Sequence, residues 1–188
     1  KGHTEAARIG TRLAAAVLRS WNDLSPISSN RLHATTAIIK LPLAPHTADR
    51  VEWAESISGS ANNEKQPPFM EMVEAFRVLD VTARNGAAIE CEVQVISLGK
   101  ELAWVALPGE IFVQLGLAIK HGSPFATTTI NELANGSVGY VPTRQAYAQG
   151  NYEVVSARCA EGSGELLVES ALEQLRKHFE IQNKKGLN

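Results

Sequence analysis

The sequence predicts an α/β protein, a mixed β-sheet with flanking helices. Three observations carry this: apolar residues recur every three or four positions in several segments, a period of two governs Ile89 to Val95, and a glycine turn folds that strand back onto an apolar partner.

Thr4 is a suitable N-cap, and Ala6, Ile9, Leu13, Val17 and Trp21 follow it at intervals of three or four. Arg8, Arg12 and Arg19 fall mostly on the other side, so an amphipathic helix is expected, ending near Asn22. "SPISSN" reads as loop. "LHATTAIIKLPL" is β-rich and predicts a strand closed by Pro42 or Pro45. A short helix is expected from Thr47 to Ser56. The polar "SGSANNEKQPP" then reads as a surface loop, too short to separate two domains. Pro68 suits the first turn of a helix carrying Phe69, Met72, Val73, Phe76 and Leu79 on one face, and both methionines are read as core.

Ile89, Cys91, Val93 and Val95 alternate with Glu90, Glu92 and Gln94, the pattern of a strand with one wet face. Gly99-Lys100 turns the chain into "LAWVALP", an apolar strand expected deep in the sheet, and the hairpin makes the pair antiparallel. Ile111–Lys120 is apolar almost all round and is expected to be a well-buried helix. "PFATTTI" reads as another strand. Ser163 caps a last helix with Leu167, Ala171, Leu172, Leu175 and Phe179 inward and Lys177 and His178 in its last turns.

The 188 residues suit one domain over 1–188 with a core of its own. A net charge of −2 gives no reason to expect a nucleic-acid or anionic-membrane partner. No apolar run is long enough to span a bilayer, and no signal-peptide pattern appears. A soluble protein is expected; its address stays open, secreted and periplasmic settings included. Cys91 and Cys159 are far apart and lack metal-type spacing; they read as buried thiols, with a disulfide as the alternative. Lys1 stands one step before a strong helix, which suggests an internal start, the C-terminal part of a longer protein; a trimmed start is the alternative.

The common single-chain signatures are absent: no P-loop, HExxH, GxSxG or GxGxxG occurs. The histidines, at 3, 33, 46, 121 and 178, are scattered, and each reads as a surface or helix-end residue. Two places remain. In "WVALPGE" a buried strand runs into Pro108-Gly109 and delivers Glu110, which could equally complement a helix dipole. In "ELANGSVGYVPTRQAYAQGNYEV" all three tyrosines of the chain are gathered among glycines, with Thr143 placed to cap a short turn. A lone tyrosine is usually packing; two framed by glycines point weakly beyond that.

Together "LPGEIFVQLGLAIK" and "LANGSVGYVPTRQAYAQGNYE" resemble the catalytic domain of the neutral (non-lysosomal) ceramidase family, shorter bacterial relatives included, over a stretch from about Ala103 to the last helix. "KGHTEAARIGTRLAAAVL" is similar to the family's segment just downstream of its nucleophile and metal-histidine region. The resemblance implies a fragment of a larger layered catalytic domain, whose zinc is held by two histidines, a glutamate and a tyrosine and whose zinc-bound water hydrolyses an amide. It makes Glu110 and Tyr140 metal ligands and Tyr152 the residue that hydrogen-bonds the substrate carbonyl. The implied substrate is an amide-bearing small molecule or lipid. The family's two histidines precede the helix that opens this chain, so a missing N-terminal segment or a partner chain would supply them. This chain alone is expected to be metal-free and inactive. Ser137 stands where ceramidases often carry another aromatic, and the link from Glu110 to Tyr140 is short. The alternatives are a binding domain that keeps the fold without the chemistry, and a hydrolase of a different small amide.

Overall fold

Alternating hydrophobicity and a glycine turn lay out the sheet of the computed structural model, which describes residues 2–29 and 31–184. These residues form two compact units, divided between Ser29 and Arg31. The first unit is helix α1 (Gly2–Arg19) followed by a 3₁₀ turn, Trp21–Asp23. Helical backbone already runs through residues 2 and 3, so Thr4 lies inside the first turn and the cap expected there is not used. By itself this unit leaves Ile9, Leu13 and Val17 exposed.

The second unit contains β1 (Leu32–Leu41), α2 (Ala48–Gly59), α3 (Phe69–Ala83), β2 (Ile89–Leu98), β3 (Leu102–Ala106), β4 (Glu110–Ile111), α4 (Val113–Gly122), β5 (Thr127–Asn131), β6 (Tyr140–Val141), α5 (Arg144–Tyr147), α6 (Tyr152–Ser156) and α7 (Ser163–Lys184). Its main sheet has the order β1-β2-β3-β5. The first three strands run antiparallel, with Thr35 opposite Val95 and Val95 opposite Val105. β5 returns through α4 to lie parallel to β3, so β3 is interior, as its apolar run predicts. The mixed sheet with flanking helices is therefore observed.

Because side chains alternate across a strand, Cys91, Val93, Val95 and Ser97 all point to one face. There α7 packs against β1 and β2 and α4 packs against α7, closing a core of Leu41, Val105, Leu115, Ile119, Leu167 and Leu175. Helices α2 and α3 form a second cluster around Ala54, Ala75 and Val78. Both cysteines are buried and free, which settles the open alternative in favour of thiols. Burial pushes each thiol up to about 11, so neither is reactive at neutral pH.

Several local expectations need correction. On α3 the buried residues are Ala75, Val78 and Val81, while Phe69 and Phe76 are 63% and 51% exposed and Met70 is also exposed. Helix periodicity marks an apolar stripe but not what the stripe faces. Helix α4 buries Leu115 and Ile119 and leaves Val113 and Leu117 outside, so it is covered on one side only. His178 does lie in the last turns of α7, which ends at Lys184, but it is fully buried and not at the surface.

The burial is possible because the imidazole is fully partnered. Thr35 Oγ1 donates to Gln174 Oε1 at 2.7 Å and so accepts from His178 Nε2, also at 2.7 Å. Ser97 Oγ lies 3.0 Å from His178 Nδ1, and Gln174 Nε2 donates to the Val93 carbonyl at 3.0 Å. This chain of donors fixes a neutral imidazole with its proton on Nε2. Helical spacing holds the available signal: Ala171, Leu175, His178 and Gln182 recur at three or four residues, which places both polar residues on the apolar side of α7. Among the described residues, no helix is long and apolar enough to cross a membrane.

Candidate functional site

Beyond β3 the chain keeps pairing through its proline and glycine. Leu107 N–H donates to Asn131, Ala134 N–H to Leu107 and Val138 N–H to Pro108, at 2.9, 3.1 and 2.7 Å between heavy atoms. Glu110 N–H then donates to the Gly139 carbonyl at 3.0 Å, and Phe112 N–H to Val141 at 3.2 Å. The segment 132–139 can follow this path because it turns through left-handed backbone at Leu133, Asn135, Gly136 and Gly139. Gly109 is required by a different constraint: a Cβ there would lie 2.7 Å from the Gly139 carbonyl oxygen.

The result is a two-residue parallel ladder, β4 against β6, in which Glu110 is the register partner of Tyr140. Side chains of paired residues leave a sheet on the same face, which brings this carboxylate and phenol together. The Glu110 carboxylate beside the Tyr140 phenol favours its protonated form and, with partial burial and the charge of Glu153, holds the phenol above the ordinary tyrosine range.

Tyr152, at the start of α6, meets Tyr140 edge-on with ring centroids 5.8 Å apart. Its other contact is with Phe69 of α3, stacked at 6.0 Å. Glu110, Tyr140 and Tyr152 line one cleft of about 360 Å³, with Val73, Phe76 and Arg77 of α3 among its other walls. All three residues singled out from the sequence are thus brought to one place. The third tyrosine serves the scaffold instead. Tyr147 donates to the Cys159 carbonyl at 2.6 Å, and burial holds it well above its ordinary range. Thr143 caps α5 as expected, its hydroxyl accepting from Ala146 N–H at 3.2 Å.

Sequence reasoning missed Arg77 and Arg158, which also line this cleft. No local pattern distinguishes them from solvated arginines; only the packing of α3 against α6 shows where they face. Among the described residues, no three His, Cys, Asp or Glu side chains are gathered as a metal-holding group. Glu110 and Tyr140 offer two oxygen donors suited to zinc, one fewer than the three protein ligands of a catalytic zinc site.

No family profile and no curated protein sequence matches the chain. Similarity is found among solved structures. The neutral ceramidase from Pseudomonas aeruginosa aligns with 82% of this chain at 14% identity and a TM-score of 0.50. A ceramidase complexed with C2 aligns with 78% of it at 15% identity and a TM-score of 0.46. The chain spans only 29% and 30% of those two proteins. At such identity the likeness is one of fold: this chain has the fold of part of a ceramidase domain.

Proposed function

We propose that this chain carries the glutamate–tyrosine half of a zinc-dependent amide hydrolase resembling neutral ceramidase, with two histidine ligands supplied from outside it by an upstream segment or a partner chain. The observation that supports this most is the register pairing of Glu110 with Tyr140 at a cleft that Tyr152 also lines. The ceramidase-like fold adds to it. The substrate is an N-acyl amine, small or lipid.

Zinc, when bound, supplies Lewis acidity and an acidified water. The residues of this chain do the rest of what is assigned to it. Glu110 and Tyr140 offer oxygen donors from adjacent strands, and Tyr140 gives up its phenolic proton to do so. The Tyr152 hydroxyl donates to the amide carbonyl oxygen as negative charge develops, a contribution of about 3 kcal/mol for a well-aimed donor. Its stacking on Phe69 and edge contact with Tyr140 limit the ring's rotation and so preserve that aim. Alone, the chain holds zinc poorly and turns over no amide.

One observation favours a second reading, a binding domain of the same fold. The Glu110 carboxylate favours the protonated Tyr140 phenol, the form that is not a metal ligand. Zinc titration and turnover of short- and long-chain N-acyl amines by the polypeptide that includes the histidine-bearing segment separate the two. Zinc-dependent hydrolysis supports the enzyme; stable folding with neither zinc binding nor turnover supports the binding domain.

A further inference from the structure

We propose that the amide taken by this cleft bears a carboxylate on its amine side, read by Arg77 and Arg158, so that the substrates are N-acyl amino acids rather than neutral N-acyl amino alcohols. This rests on the hydrolase reading above and names its substrate class.

Two guanidinium groups line the cleft that holds Glu110, Tyr140 and Tyr152. Arg77 is largely buried, and its Nε has no hydrogen-bond partner. Its carboxylate partner, Glu74, is shared: it lies 3.4 Å from Arg77 but 2.6 Å from Arg50. Burial lowers the Arg77 pKa from its usual range, the sign of a cation short of compensation. Arg158 is held by Asp80, Nε to Oδ2 at 2.5 Å, and Asp80 also takes Arg84 at 3.4 Å. Four guanidiniums therefore share two carboxylates on α3, and two of the four face the cleft.

Arg158 is also placed beside the reacting end. A Cβ on Gly139, the residue before Tyr140, would come within 2.9 Å of its terminal nitrogen, which places the guanidinium at the edge of β6. Glu110 lines the same cleft, but it is the register partner of Tyr140 on β4, while Arg77 stands on α3. Besides Gly139 and Ser156, the remaining wall is apolar: Val73 and the exposed Phe76 line it together with Tyr152, which also stacks on the exposed Phe69. An acyl chain suits those rings, and a carboxylate suits the paired guanidiniums, which bind it in a planar fork. Glu74 and Asp80 are each divided between two guanidiniums, so a substrate carboxylate adds charge compensation that a neutral amino alcohol cannot. Hydrolysis of such a substrate consumes one water and releases a fatty acid and a free amino acid.

The test is calorimetric binding to this chain of N-octanoylglycine and N-octanoylethanolamine, which match in acyl length and differ in the carboxylate. The glycine amide is expected to bind at least about tenfold tighter, the size of one charge-assisted hydrogen bond, with the advantage shrinking at high salt. R158Q and R77Q are each expected to remove most of that advantage, bringing the two affinities together. Should R77Q fail to fold, R158Q and the comparison of the two ligands still decide. Equal affinities, absent binding of the glycine amide, or a preference that survives R158Q overturns the proposal. Turnover by the polypeptide with the histidine-bearing segment separates this from the hydrolase reading. Hydrolysis of both amides at similar rates sinks the carboxylate preference alone. Anion-selective binding without hydrolysis of either sinks the hydrolase.

Discussion

Glu110 and Tyr140 are register partners in a two-residue parallel ladder, and the Glu110 carboxylate favours the protonated Tyr140 phenol. The pairing depends on backbone that allows no side chain at Gly109 and left-handed turns at Gly136 and Gly139. The phenol oxygen that a metal would need is thus held in its protonated form. Metal binding at this pair must therefore displace a proton, and the affinity of the site rises with pH until the phenol is ionised.

Gly109→Ala tests the backbone arrangement. The added methyl would meet the Gly139 carbonyl at 2.7 Å, Val138 at 3.2 Å and Val141 at 3.3 Å, so β4 and β6 must separate. The expected cost is about 1–3 kcal/mol in denaturant unfolding, the usual range for overpacking. The influence of Glu110 on Tyr140 should weaken with it, lowering the Tyr140 pKa toward the ordinary tyrosine value in a spectrophotometric titration. A variant with wild-type stability and an unchanged Tyr140 titration would show that the close approach is unimportant.

Tyr152→Phe keeps the ring contacts with Tyr140 and Phe69 and deletes the donor. In the polypeptide with the histidine-bearing segment, kcat is expected to fall by about 10²-fold with KM little changed, the pattern of an interaction made mainly in the transition state. Unaltered kcat would remove Tyr152 from the mechanism.

His178 sets an acid limit on stability. Burial first, and then the neighbouring charge of His33, lowers its pKa from the usual 6.5 to about 4. Because the folded value lies below the unfolded one, the unfolded chain takes up the proton first as pH falls. Stability is thus complete above the unfolded pKa of about 6.5 and is lost between there and about 4, by about 3 kcal/mol in all. Urea unfolding at successive pH values checks this, with His178→Gln expected to flatten the loss across that window. An acid dependence unchanged in His178→Gln would assign it to other groups.

The sheet is readable from local pattern because β2 alternates without interruption and the Gly99 turn leaves its partner no other register. The site is not readable in that way. β4 and β6 are two residues each, too short for any period, and their register joins positions far apart in the chain. Glu110, Tyr140 and Tyr152 stand out in the sequence through a resemblance in motif, which the pairing and the shared cleft now accompany. The spacing of Phe69 and Phe76 reads as core; their exposure becomes visible only once α3 is docked beside α6. His178 misleads for the opposite reason. A polar residue near the end of an apolar stripe suggests solvent, whereas Thr35 and Ser97, distant in sequence, satisfy it inside.

The most direct measurement is zinc X-ray absorption on the polypeptide completed by its histidine-bearing segment, comparing wild type with Glu110→Gln and Tyr140→Phe. Glutamate and phenolate ligation predicts two oxygen neighbours at about 2.0–2.2 Å beside the imidazole nitrogens, with one oxygen lost in Tyr140→Phe and a phenolate absorption band that appears on zinc addition and is absent from that variant. A zinc shell identical in all three proteins, with no phenolate band in any of them, would contradict the account.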